Sequence, residues 1–355
     1  MKKILITNTS QFGYHTDTYM YCKYLDKAKY EVHYIGFDIG YIKMALENVH
    51  IHNVPVYKNK IKRYWVYLNA INKLIRNEKF DIVFQVDRKL TLLVRLCNLN
   101  RNCILDIRTG DLRAANLMRG YYNYYILFTS LFYKHVSVIS ASLGALLHIP
   151  MTKTTIIPLG AEIQNVGDKS WNELQLFYIG ALPSRNIYQT VEGLSIFIKR
   201  NPEITVNYDI VGNGTKVVIN HLMHTIDELG LKDVITYHGR KNHSEITEIW
   251  KKANIGVVYI PMTQFYNCQP TTKLYECLLS GMPVIATNTL ENKLAMTTVA
   301  GVLIDDNPEA FAKGLEEFWE RRLTFNSQSI KDEYTQSTWQ KIVQEYLEPY
   351  FETFS

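Results

Sequence analysis

The stretch Pro270-Thr-Thr-Lys-Leu-Tyr-Glu-Cys-Leu-Leu-Ser-Gly-Met-Pro-Val-Ile-Ala-Thr287 decides how the rest of the chain is read. Thr271 or Thr272 suits a helix N-cap, Leu274, Leu278 and Leu279 recur at helical spacing, Gly281 closes the helix and Pro283 opens a strand at Val284. Loop, short helix and strand follow in that order. A helix that starts straight after a loop points unpaired backbone N–H groups and the positive end of its dipole outward, which makes the turn from Pro270 to Lys273 a candidate anion site. Lys273 adds a full charge there, and Glu276, three residues on, offers a carboxylate able to accept from a pair of hydroxyls. Taken alone, the stretch reads equally well as a surface helix with a Lys273/Glu276 pair before a buried strand.

The chain of 355 residues suits two domains better than one, and 47% hydrophobic with 21% charged residues is ordinary for a folded globular protein. Five cysteines without a C-x-x-C pair suggest neither a disulfide framework nor a zinc site, and a cytoplasmic setting is expected. The opening Met1 to Thr7 has too short an apolar run for a signal peptide and reads as a first strand. The uncharged run from Gly120 to Tyr133 is shorter than the roughly 20 residues that span a bilayer.

Charge is divided unevenly. Residues 1–165 hold 22 Lys and Arg against 11 Asp and Glu, a net +11; the remainder holds 39 − 22 = 17 against 34 − 11 = 23, a net −6. The basic half suits an anionic partner such as a phospholipid surface, a lipid-linked phosphate or nucleic acid, and scattered solvated charge explains it as well.

Strands alternate with segments of helical length along the whole chain. The first series holds strands at Lys3 to Thr7, Tyr30 to Gly36, Phe80 to Gln85, Cys103 to Ile107, Val136 to Ile139 and Thr154 to Ile157, with a long basic helix from about Lys62 to Asn77. No G-x-G-x-x-G follows the first strand. A linker is expected over Gln164 to Asn172. The second series holds strands at Leu176 to Gly180, Val206 to Val211, Val234 to Tyr237 and Ile255 to Ile260, a turn at Gly212-Asn213-Gly214 and a helix from Pro308 to Arg322. The expected fold class is α/β, two Rossmann-like doubly wound domains in series. The domains run over residues 1–163 and 164–334, and a terminal helical segment follows over 335–355.

In its order of Pro, Lys, Glu, Gly, Pro and Ala-Thr, the Pro270 to Thr287 stretch resembles the donor signature of the family 4 retaining glycosyltransferases, which have the GT-B architecture. Ile157 to Glu162 is similar to that family's interdomain Pro-x-Gly-x-Asp, with Glu162 for Asp. Gly180 followed by Arg185, Val211 to Gly214, and His238-Gly239-Arg240 stand in the family's order, and Ser337-Thr338-Trp339 resembles the start of its last helix, which crosses back to the first domain. The resemblance implies a donor site in the C-terminal domain, a cleft between the domains and acceptor binding by the N-terminal domain.

What the resemblance implies for chemistry makes physical sense, because a leaving pyrophosphate gains charge as the glycosidic bond breaks and needs preorganised donors. Arg185 and Lys273 are assigned to the diphosphate, with Thr271 and Thr272 at the helix start. Glu276 matches the second glutamate of the family's E-x7-E motif and takes the ribose hydroxyls, and Gly239 and Arg240 mark the loop against the base. The first glutamate of that motif is replaced by Cys268, so the sugar is held differently, for instance by backbone amides of Gln269 to Thr271, or activity is reduced. No cofactor or metal is implied, since the nucleotide sugar is a substrate and basic groups stand in for a cation.

Gly13, His15, Asp106 and Arg108 fall at the carboxyl ends of first-series strands and are the acceptor-side candidates. The aromatic run Tyr121, Tyr122, Tyr124, Tyr125, Phe128, Phe132 and Tyr133 is either a buried helix or an interfacial one beside Arg113, Arg119 and Lys134, with burial the first expectation. The expected activity is a metal-independent, retaining transfer from a nucleoside-diphosphate sugar, UDP favoured, to a cell-surface or lipid-linked saccharide. The setting is the cytoplasm or the inner membrane face, with no nucleic acid partner. A sugar-nucleotide epimerase of the same fold and a non-catalytic nucleotide-sugar-binding partner are the alternatives.

Overall fold

The computed structural model describes residues 1–110, 116–163, 167, 169–241 and 243–354. They form two compact units, residues 1–160 together with 339–355, and residues 161–338. The boundaries lie a few residues from those expected, at the point where Ala161 pairs with Thr338 in a parallel bridge and donates its N–H to the Ser337 carbonyl at 2.9 Å. Arg113 and part of the expected linker from Gln164 to Asn172 lie outside the described residues, as does the side chain of Arg119.

The first unit is built on strands β1 (Lys2–Thr7), β2 (Tyr30–Asp38), β3 (Val49–Pro55), β4 (Ile82–Val86), β5 (Cys103–Ile107), β6 (His135–Val138) and β7 (Thr154–Ile156). Their order across the sheet is β3-β2-β1-β4-β5-β6-β7, and every pair is parallel. Ile4, Leu5 and Ile6 are all fully buried, because a parallel sheet carries helices on both faces and its inner strands see no solvent on either. The Lys60–Asn77 helix starts where Asn59 Oδ1 accepts from Lys62 N at 3.0 Å, and it buries Tyr67, Ile71 and Ile75 at a spacing of four.

The second unit repeats the plan with β8 (Leu174–Ala181), β9 (Val206–Asn213), β10 (Ile235–Gly239), β11 (Ile255–Val258), β12 (Val284–Thr287) and β13 (Gly301–Ile304), in the order β10-β9-β8-β11-β12-β13 and again all parallel. The expected turn at Gly212-Asn213-Gly214 begins later than read, since β9 runs on through Asn213. Gly212 faces Gly180 across β8 and β9, and a Cβ on Gly212 would lie 2.2 Å from the Gly180 carbonyl oxygen. Glycine there allows the two strand ends to close up.

The aromatic run is only partly buried: Tyr133 is in the core, and Tyr122, Tyr125 and Phe132 are half-buried. In the Asn116–Ser130 helix, Ile126 and Thr129 face inward while Tyr121, Tyr124 and Phe128 are exposed, because residues three and four apart share a face and only one face meets the sheet. Among the described residues no helix is long and apolar enough to cross a membrane.

The last segment belongs to the first unit's core. Trp339, Val343, Leu347 and Phe351 are buried on one face of a helical run that passes through a π turn at Val343–Leu347. Trp339 meets Tyr21 edge-on at 5.9 Å, and Phe351 meets Phe84 at 5.6 Å. Replacing a buried Trp by Ala removes its burial and leaves a void, so Trp339→Ala is expected to lower stability to urea by about 3–5 kcal/mol. Tyr346→Ala, on the exposed face of the same segment, is expected to change it by under about 0.5 kcal/mol.

Candidate functional site

In an open parallel sheet, ligands bind beyond the carboxyl ends of the strands where the strand order reverses, because the two loops there leave in opposite directions. In the second unit that point lies between β8 and β11. The loop after β8 carries Arg185, and the loop after β11 leads through a short helix, Gln264–Asn267, to Thr271 and the Thr272–Leu279 helix. The two loops meet: the Arg185 guanidinium lies over the Tyr266 ring at 4.5 Å. Cation–π contact of this kind holds the charge in place without using its N–H groups.

Those N–H groups remain available. Arg185 Nη1 is buried and has no hydrogen-bond partner among the described residues, and the same holds for Thr271 Oγ1. Thr215, Thr263 and Thr289 each accept an amide N–H of the helix they precede, whereas Thr271, although at the N-cap position, makes no such bond. The guanidinium nitrogen on one loop and the hydroxyl at the helix start that ends the other are buried polar groups left unmatched, which an anion would satisfy. Thr272 takes the first helical position rather than the cap.

Lys273 Nζ sits 2.6 Å from Glu276 Oε2, so the intrahelical pair that the sequence also allowed is formed. Both side chains stay partly exposed. The loop amides are less free than expected: Gln269 N–H donates to the Tyr266 carbonyl at 3.2 Å and Pro270 has none, which leaves that of Thr271. Cys268 is buried at the end of the short helix. Gly239, at φ +68, ends β10, and Arg240 beside it is exposed. They lie two strands from β8, about 10 Å away across the sheet.

Arg185 stands between two residues in the left-handed region, Ser184 at φ 59 and Asn186 at φ 52. Such backbone costs L-residues about 1–2 kcal/mol each and clusters where a side chain must be aimed.

In the first unit the order reverses between β1 and β4. The loop after β1 brings Gly13 and His15, and the loop after β4 brings Asp87 and Arg88, which the sequence reading missed by ending that strand at Gln85. Gly13 has φ +91, and a Cβ there would meet Met44 Sδ at 2.2 Å. His15 caps the Thr16–Tyr24 helix through Nδ1. Burial, with Arg88 and Arg108 adding to it against Asp17, pushes His15 down to about 4, so its imidazole is neutral at pH 7. Gln11, also unforeseen, ties this loop to the next by accepting from Ile39 N and Tyr41 N, each at 3.1 Å.

Arg108 is held by Asp17, 2.5 Å from its Nε, and by the Ile157 carbonyl at 2.7 Å. Asp106, another acceptor-side candidate, has a fully buried side chain whose Oδ1 accepts from Ser137 Oγ at 2.8 Å and whose Oδ2 has no partner among the described residues, and burial raises it to about 6. A cavity of about 200 Å³ opens beside Asp87, Arg88, Lys89, Arg108, Tyr122 and Tyr125. Burial raises Asp87 to about 7, and its Oδ1 has no hydrogen-bond partner among the described residues.

Known proteins bear on both units. Residues 173–321 match the family model described as glycosyl transferases group 1. No curated protein sequence matches the chain. Among solved structures, the Anabaena protein HepE in complex with UDP and glucose is similar at TM-score 0.78 and 13% identity, over 99% of this chain and 100% of that one. Sucrose-phosphate synthase from Thermosynechococcus elongatus is similar at 0.76 and 14%, over 100% and 99%. A glycosyltransferase from Rickettsia africae follows at 0.73 and 18%, over 99% and 98%. The fold is GT-B.

The aimed loop of this GT-B protein can be checked through its strain. Ser184→Val, at an exposed position with no packing to lose, is expected to lower thermal stability by about 1–2 kcal/mol, whereas Ser184→Gly leaves it unchanged or raises it.

Proposed function

We propose that the protein is a retaining glycosyltransferase that takes a sugar from a nucleoside diphosphate, with UDP the favoured base, and passes it to a saccharide acceptor at a membrane surface. The observation that carries this reading is the meeting of Arg185 with Tyr266, on the loop that leads to the Thr271 helix start, across the strand-order reversal, with a guanidinium nitrogen and the Thr271 hydroxyl each buried and unmatched among the described residues. Arg185, Lys273 and the Thr271–Thr272 helix start bind the diphosphate. Glu276 leaves Lys273 to accept the ribose hydroxyls, and Gly239 and Arg240 flank the base. The match of residues 173–321 to group 1 glycosyl transferases supports the assignment. The UDP and glucose held by the Anabaena relative support the choice of base.

The first unit binds the acceptor, through the loop of Gly13 and His15 and the cavity beside Arg88 and Arg108. In the proposed step the acceptor hydroxyl oxygen bonds to the sugar's anomeric carbon as the bond from that carbon to the phosphate oxygen breaks. The departing phosphate oxygen takes the hydroxyl proton on the same face, so no separate base is needed. Arg185 and Lys273 offset the charge that grows on the diphosphate, and preorganised donors of this type favour the transition state over the ground state.

Three measurements test the donor site. UDP at about 100 times its dissociation constant is expected to stabilise the protein by roughly 2.7 kcal/mol, with or without EDTA. Arg185→Ala and Glu276→Ala are each expected to weaken UDP binding by about 1.5–3 kcal/mol, by removing hydrogen bonds to charged groups or leaving ribose hydroxyls unpaired. A UDP effect that requires Mg²⁺ or Mn²⁺ argues against the basic groups as the counter-charge, and no effect of any nucleoside diphosphate removes the donor assignment. Sugar transfer from UDP-linked sugars to extracted lipid-linked glycans tests the reaction itself.

The membrane setting is supported by the net +11 of residues 1–165 and by exposed apolar side chains amid lysines. Ile61 is 82% exposed and Trp65 64%, next to Lys58, Lys60 and Lys62. Binding to anionic vesicles is expected to weaken as salt rises, since exposed charges are screened over about 8 Å at physiological ionic strength, and Trp65→Ala is expected to reduce it. Absence of binding at low salt points to a soluble acceptor.

A further inference from the structure

No metal motif stands along the chain, but three histidines and a glutamate meet across two neighbouring strands. Glu31 and His33 lie two apart on β2, and His50 and His52 lie two apart on β3. Alternation puts each pair on one face, and the parallel register sets His33 directly opposite His50. His33 Nε2 is 2.9 Å from Glu31 Oε1, and His50 Nε2 is 3.7 Å from the same oxygen. The three ligand atoms all lie within 4.8 Å of one another. A zinc ion with ligands about 2.0–2.1 Å away spaces them about 3.3 Å apart in a tetrahedron, a value between the two distances found.

We propose that Glu31, His33 and His50 form a binding site for a zinc-class dication, with the fourth position open to water. Two imidazoles and a carboxylate are a donor set that suits zinc better than the harder magnesium or calcium. The surroundings are those that orient a ligand. His52 Nε2 lies 2.9 Å from His33 Nδ1, so it can accept a hydrogen bond from the N–H that His33 must carry on that nitrogen when Nε2 binds metal. Phe80 packs edge-on against the His33 ring at 5.0 Å. Lys3 contacts Glu31 at 3.0 Å and keeps Glu78 at 2.6 Å when Glu31 turns to the ion.

The position separates this site from the acceptor loops. His33 is five residues from the carboxyl end of β2, about 16 Å at strand rise. The ion therefore clamps β2 to the edge strand β3, and its effect is on the stability of that edge.

The test uses the full chain stripped with chelator, then titrated with ZnCl₂ against a fluorescent chelator and, in parallel, with CoCl₂ followed by visible absorption. One equivalent of zinc is expected to bind, to raise the melting temperature, and to leave UDP binding unchanged; cobalt is expected to give the strong bands of a four-coordinate ion. His50→Ala, whose side chain is 61% exposed and removable without loss of core, is expected to weaken zinc binding at least about 10-fold. His52→Ala is expected to weaken it by about 10–100-fold through the orienting bond alone. His224→Ala, an exposed histidine of the second unit, serves as the control and is expected to change nothing. No zinc binding by the unmodified protein, or equal affinity after His50→Ala, overturns the proposal.

Discussion

A strand that crosses over to a parallel neighbour does so with a right-handed turn, and a chain that begins in the middle of a sheet can put helices on both faces only by reversing the direction in which it adds strands. Both units obey this: one starts at β1 and reverses before β4, the other starts at β8 and reverses before β11. The reversal opens a gap between two loops at the carboxyl ends. What the gap contains then depends on a few side chains. In the second unit these are a guanidinium fixed by an aromatic ring and a helix start with no capping hydroxyl. In the first they are a neutral histidine and an arginine whose charge is already matched by Asp17.

The two gaps differ in electrostatic character. The second leaves a guanidinium nitrogen of Arg185 and the Thr271 hydroxyl unmatched among the described residues, the state expected of a site whose counter-charge arrives with a ligand. In the first, Arg108 is tied to Asp17 and the Ile157 carbonyl, Asp106 accepts from Ser137 while its other oxygen stays unmatched among the described residues, and Asp87, Arg88 and Arg108 line a cavity.

Much of the fold was legible because strands buried on both faces read as apolar runs: Lys3 to Thr7 and Cys103 to Ile107 were placed within a residue. What escaped was local. Edge strand β3, written Val49-His-Ile-His-Asn-Val-Pro55, is polar on one side and ends in proline, so it lacks that run. Strand β13 is four residues long and opens at Gly301, whose φ of +142 brings it against Val284. Arg185, Thr271 and Lys273 could be named from order along the chain. Tyr266, Asp87 and Arg88 could not, because their roles depend on which loops the strand order makes neighbours. The aromatic helix was misjudged for a related reason: spacing told which residues share a face, and only packing told which face meets the sheet.

The first unit draws its core from both ends of the polypeptide. Trp339 and Phe351 close over Tyr21 and Phe84, and Lys2 Nζ reaches the Phe351 carbonyl at 3.0 Å, yet the whole second unit lies between them in the sequence. During synthesis the N-terminal sheet leaves the ribosome with that apolar flank bare, and it stays bare until residues 339–352 emerge. The second unit is contiguous and can fold as it is made. The order of maturation is thus the reverse of the order of translation: the half made first is finished last, and in the interval its uncovered aromatic surface is the part of the nascent protein most in need of a chaperone.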